Sequence, residues 1–178
     1  WDRVIALQND PSFERGLEIF GFTQALGLGT AYALQGLQET AEGHFESHID
    51  AVRSEEPEGR IEHAFRDMNL ALGYAWLGQH EEALTMVRQS DQQLSIEDDH
   101  SFGSNLERLK VWVLAKSGER DTALDLIAAK IDAPEGFSRW ELHLHPGWDF
   151  FRDDPRFNDL VRPDGVDPEP FRRMGDGT

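Results

Sequence analysis

Residues Asn69 to Ser90 read NLALGYAWLGQHEEALTMVRQS. The first half is apolar almost all round (Leu70, Ala71, Leu72, Tyr74, Ala75, Trp76, Leu77), the pattern of a helix buried on more than one side. Gly78 ends it. Beyond Gln79 and His80, the side chains Ala83, Leu84, Met86, Val87, Ser90 and Leu94 fall on one face with a 3.6-residue period, which predicts an amphipathic helix packed back on the first. The same spacings return upstream at Leu28, Gly29, Tyr32, Gly36 and Ala41, and downstream at Val111, Leu114, Gly118 and Ala123. Gly36 to Gly78 is 42 residues and Gly78 to Gly118 is 40, a recurrence that signals stacked helical hairpins and an all-α fold.

The spacing has a physical reading. A small residue at Gly29 or Ala71 lets the two helices of a hairpin approach closely, and Ala41, Ala83 and Ala123 do the same from the opposite helix. Tyr32, Tyr74 and Leu114 fill the space beside them. Glycine at 36, 78 and 118 accepts the left-handed conformation that closes a helix and turns the chain back. One hairpin alone buries too little surface to fold, so the units are expected to stack.

A Leu-Gly (or Leu-Ala) pair followed by Tyr, Gly and Ala at these intervals resembles the tetratricopeptide repeats. The resemblance covers about Phe22 to Ala133 and implies a right-handed, all-α solenoid of about three hairpins, with repeats near 22–54, 64–95 and 104–133. The period exceeds the roughly 34 residues usual for such repeats, so longer loops between repeats are expected. The segment Leu144 to Asp149, with Pro146 and Trp148, followed by Arg152-Asp153-Asp154-Pro155-Arg156-Phe157, is similar to the end of such arrays in bacterial signalling and regulatory proteins. Residues 134–162 are therefore expected to cap the solenoid in a single domain spanning 1–162, with residues 163–178 a flexible tail. The resemblance implies a binding scaffold, not a catalyst.

Around this centre, Trp1 to Leu7 carries enough apolar surface to dock as a short helix or arm, and Asp10-Pro11 predicts the start of a helix over about Ser12–Gly21. Phe22 to Leu34 either continues that helix or begins the next, and packing is expected to resist a break near Gly27–Gly29. Between Glu39 and Glu62, acids alternate with Ala41, Phe45, Ile49 and Val52, which predicts an amphipathic helix with an acidic outer face and a loop at Ser54–Gly59. His44 and His48 stand four apart, a spacing that can ligate one metal ion. No third ligand accompanies them, and no metal or other cofactor is expected. Ser95 to Ser104 reads as a solvated linker, since it lacks the alternating Asp pattern and distal Glu of a calcium loop. Asp154-Pro155 should open a short helix with Phe157, Leu160 and Val161 on its apolar face.

Composition removes several functional classes. A net charge of −17 opposes binding to phosphate-rich partners, so neither a nucleic acid nor an anionic membrane is expected. The absence of cysteine excludes disulfides, cysteine-zinc sites and thiol catalysis. No apolar run approaches the ~20 residues of a membrane-spanning helix. The chain starts at Trp1 and not at methionine, so a fragment or processed product is expected.

The candidate site is the strip formed where the first helix of each repeat faces away from its partner helix. It comprises Met68, Leu72 and Trp76 in the second repeat and Asn105, Arg108, Trp112 and Lys116 around the third. Leu26, Thr30, Ala33 and Leu34 occupy the corresponding positions of the first. Trp and Arg are the side chains that most often dominate interfaces, so the expected activity is non-catalytic capture of a peptide or protein partner in a concave groove. A homodimer is a second candidate assembly. A regulatory module of a larger signalling protein is the alternative function, and a helical hydrolase using Asp98, Asp99, His100, Asp153 or Asp154 is a third.

Overall fold

Gly36, Gly78 and Gly118 all adopt positive φ, at 77°, 72° and 89°. The amide of Leu37 donates to the Tyr32 carbonyl at 3.0 Å, that of Gln79 to Tyr74 at 2.9 Å and that of Glu119 to Leu114 at 2.9 Å. These bonds span five residues and satisfy carbonyls that each helix leaves open at its end, the closure a left-handed glycine makes possible. The three turns are therefore one structure used three times.

The computed structural model describes residues 2–6, 23–95, 99–134, 136–144 and 146–162. Its elements are α1 (Asp2–Ala6), α2 (Gln24–Leu34), α3 (Gln38–Arg53), α4 (Arg60–Trp76), α5 (His80–Gln93), α6 (His100–Lys116), α7 (Arg120–Lys130), α8 (Arg139–Leu144), a 3-10 helix η1 (Pro146–Phe151) and α9 (Pro155–Val161). Among the described residues there is no strand, only an isolated bridge between Ile131 and Phe137, and the protein is all-helical. The helix expected over Ser12–Gly21 and the tail from residue 163 lie outside the described residues. The chain divides into two compact units, Trp1–Arg120 and Asp121–Thr178.

In the first unit α1 packs on α2, α2 on α3, α3 on α4, α4 on both α5 and α6, and α5 on α6. The two pairs α2–α3 and α4–α5 are hairpins closed by Gly36 and Gly78. Their seam is made by the small residues the pattern singled out: Ala41, Ala71 and Ala83 are wholly buried together with Phe45, Val52, Met68 and Val113. At Gly29 the approach is close, and a methyl group built there would lie 2.6 Å from Phe45 Cε1. A second close approach, which the repeat spacing does not mark, is at Gly73, where a Cβ would lie 2.6 Å from Ile49 Cγ1. That glycine lets α4 settle against α3 of the preceding hairpin.

Helix α2 runs through Gly27 and Gly29 unbroken, with Thr23 as its N-cap accepting the Leu26 amide at 3.1 Å. Ser54–Gly59 is the loop expected between α3 and α4. The linker reading of Ser95–Ser104 needs correction. Helix α6 begins at His100, and Gly103 is buried. The cause is Asp99, whose carboxylate accepts the amides of Ser101 and Phe102 at 2.9 and 3.0 Å, so an acid that looks solvated by composition is a helix cap.

The second unit is built from α7, α8, η1 and α9. Leu124, Ile127, Leu142, Phe151 and Phe157 are fully buried. Aromatic rings run in sequence through this core: Phe137 meets Trp148 edge-on at 5.9 Å, and Phe151 stacks on Phe157 at 5.2 Å. Three arginines tie the irregular chain together. Arg152 donates to the carbonyls of Leu142 and His143, and Arg139 pairs with Asp132 at 2.6 Å and reaches the Leu160 carbonyl. Arg156 of α9 forks to Asp121 and Asp125 of α7 at 2.9 and 2.6 Å. Asp154 caps α9 by accepting the Arg156 amide, with Pro155 at the first helical position, as the Asp-Pro pair predicts.

Two glycine substitutions separate the two roles of glycine in denaturation experiments. Nothing lies within 4 Å of a Cβ placed on Gly78, so Gly78→Ala should lose about 1–2 kcal/mol from left-handed backbone strain alone. Gly29→Ala should be destabilising by about 1–3 kcal/mol through overpacking, and Phe45→Leu in the same chain should recover part of that loss but none of the loss at Gly78. In the second unit, Phe151→Ala should cost about 3–5 kcal/mol as a ring removed from a packed core, read as loss of near-ultraviolet circular dichroism at lower denaturant.

Candidate functional site

Residues 68, 72 and 76 of α4 and residues 108, 112 and 116 of α6 follow the i, i+4, i+8 course of a single helix face, and α4 and α6 are packed neighbours. The two ends of these stripes meet. The ammonium of Lys116 lies 3.7 Å from the centroid of the Trp76 ring, and the same indole stacks on Phe45 of α3 at 5.2 Å and 12°. Trp76 is thus fixed by an apolar ring and approached by a cation, an attraction between charge and ring quadrupole. Burial pulls the Lys116 pKa below the ordinary lysine value.

The remaining residues of the strip are placed as follows. Arg108 and Trp112 are half-buried on α6, and Trp112 packs against the core of the first unit. Asn105 is exposed, its amide donating to the Ser101 carbonyl at 3.1 Å. Met68 is wholly buried and Leu72 is 4% exposed, so both belong to the core and present almost no surface. In α2, Leu26 is buried, Thr30 and Ala33 are half-buried and Leu34 is exposed. The structure therefore brings Trp76 and Lys116 into contact and sets Met68 and Leu72 behind them. The support from Phe45 was not legible in local spacing, because it comes from a different hairpin.

The histidine pair is divided between two tasks. His44 stacks on Tyr32 at 5.3 Å and 6°, whereas both ring nitrogens of His48 are engaged with Thr23 and Asn69. Among the described residues no group of three or more His, Asp or Glu side chains is arranged to hold a metal ion. Asp99 and Asp154, candidates for acid–base work, both serve as helix caps. A feature the sequence did not suggest is a cleft of about 250 Å³ between α5 and α6, lined by Asp91, Leu94, Ser95, Gly103, Leu106, Glu107 and Lys110. Lys110 and Asp91 form an ion pair of 2.5 Å there.

Among the described residues no helix is long and apolar enough to cross a membrane. Compared with known proteins, the chain matches no family model, no curated sequence and no solved structure.

The Trp76–Lys116 contact can be measured by a double-mutant cycle on stability. Trp76→Leu should destabilise by about 2 kcal/mol or more, as a large ring leaves a packed site, and Lys116→Met by less. A cycle with both should return a coupling of about 0.5–1 kcal/mol. A coupling indistinguishable from zero would show that the ammonium lies over the ring without energetic consequence.

Proposed function

We propose that the protein is a non-catalytic interaction scaffold of the tetratricopeptide-like kind, holding a peptide or a segment of a partner protein against the faces of α4 and α6. The observation that carries this reading is the meeting of Trp76 and Lys116. They occupy equivalent positions of successive units, 40 residues apart, and they are in contact. The repeated glycine closures and the buried alanines of the seams support the same hairpin-repeat reading. On this reading Met68 and Leu72 lie in the core behind the strip, and Trp76, Trp112, Arg108 and Lys116 supply the recognising groups. An apolar side chain of the partner packs against the indoles, and its carbonyls or an acidic group meet the cations. No side chain here is assigned a chemical step.

Affinity capture with the whole chain, followed by titration of the captured partner's binding segment, tests the assignment. Trp112→Ala with Arg108→Ala should weaken binding by at least about 30-fold, since losing an aromatic anchor commonly costs about 2 kcal/mol or more. Neutralising Glu55, Glu56 and Glu58 together should alter mainly the on-rate and its salt dependence. A correctly folded double mutant that binds at full strength, beside loop mutants that do not bind, would move the working surface to the acidic outer face.

A further inference from the structure

His48 has no solvent exposure, and its imidazole joins three separate parts of the first unit. Its Nε2 lies 2.9 Å from the Asn69 carbonyl oxygen on α4. A carbonyl only accepts, so Nε2 carries the proton and Nδ1, in the neutral ring, is an acceptor. The Thr23 hydroxyl, 2.8 Å from Nδ1, therefore donates to it, while the same oxygen accepts the Leu26 amide at 3.1 Å. A continuous chain of donors runs from the first turn of α2, through Thr23 and His48 on α3, to the backbone of α4. Gly73 makes room for the ring, since a Cβ there would stand 3.1 Å from His48 Cδ2.

Every position in this chain is satisfied by the neutral imidazole. The imidazolium has two donors. Its new Nδ1–H would face the Thr23 oxygen, which must then stop donating and accept from both the ring and the Leu26 amide. No counter-charge compensates. The described acids and bases on the surrounding elements are Tyr32 on α2, Arg60, Glu62, His63, Arg66, Asp67 and Tyr74 on α4, and Glu39, Glu42, His44, Glu46, Asp50 and Arg53 on α3. The two influences on the His48 proton are burial, which lowers its pKa, and the weaker opposing pull of the Asn69 carbonyl. Tyr32 is occupied with His44 and Tyr74 with Arg53.

We propose that His48 is an acid-operated latch: neutral, it holds α2 onto α3 and α4 through Thr23 and Asn69, and on protonation it releases α2 while α4, α5 and α6 remain packed. The release is local because, among the described residues, the main contacts of α2 are with α3 and α1, whereas α4 is held by α3, α5 and α6. What opens is the seam where the Phe45 ring lies on Gly29, an apolar surface covered while His48 is neutral.

The sign follows from linkage. A ring whose pKa is lowered in the closed state binds its proton more readily in the open one. The latch is thus fully effective above the ordinary histidine value of about 6.5 and weakens as pH falls below it toward the lowered pKa, by at most tenfold in the closing constant per pH unit for one proton.

Amide hydrogen exchange of the whole chain between pH 7.5 and 5, expressed as protection factors so that the intrinsic pH dependence of exchange is removed, reads this directly. Protection of residues 24–34 should fall as pH drops below 6.5, while residues 64–76 keep theirs. His48→Gln should remove the difference in pH response between the two segments. Should that variant fail to fold, the proton NMR titration of the wild-type His48 ring decides, and it should show a midpoint below 6.5 and the Nε2–H tautomer in the neutral form. Flat protection in α2, a loss shared equally by α4, an unchanged response in His48→Gln, or a His48 midpoint at or above 6.5 would each overturn the latch.

Discussion

The left-handed turn at Gly36, Gly78 and Gly118 is the constraint on which the helical arrangement rests. An α-helix leaves its last carbonyls unpaired, and a chain that must reverse at once can pair them only by entering a region of backbone space closed to most side chains. Here each turn pairs the carbonyl five residues back, at Tyr32, Tyr74 and Leu114. In the first unit the helices on either side of Gly36 and Gly78 then run together, and Gly29, Ala41, Ala71 and Ala83 set how near they come. Further specificity of the packing follows from that distance: Phe45 covers Gly29, and its ring then becomes the backing for Trp76.

Helix type and turn positions were legible because they depend on single residues with few substitutes. Only glycine enters positive φ freely, so a glycine recurring after matched apolar intervals announces the turn, and Asp154-Pro155 announces α9 for equally local reasons. Asp99 was not legible in this way. As a cap and as a solvated acid it has the same chemistry, and only the direction of the following amides distinguishes the two. His48 presents the same difficulty over a longer range. Its spacing from His44 describes a helix face, but its role is decided by Thr23 and Asn69, which are distant in sequence.

For the candidate strip, the four-residue spacing puts residues 68, 72 and 76 on one face of α4 and 108, 112 and 116 on one face of α6. It carried no information on how deep each position lies. Met68 and Leu72 are as apolar as an interface anchor and as apolar as a core residue, and burial is set by what tertiary structure lays over them. Trp76 is different because it is too large to disappear into the seam, and Lys116 approaches its ring.

The contacts that define the first unit join elements that follow one another closely along the chain: α2 with α3, α4 with α5, and each hairpin with its immediate successor. Such short-range topology keeps the entropy of loop closure small and favours rapid folding. It also gives the glycine turns a kinetic meaning. Once Gly36 has emerged during synthesis, α2 and α3 have only a few residues between them, and so have α4 and α5 once Gly78 appears. The order in which residues are made is then the order in which the two helices of each of these hairpins find each other.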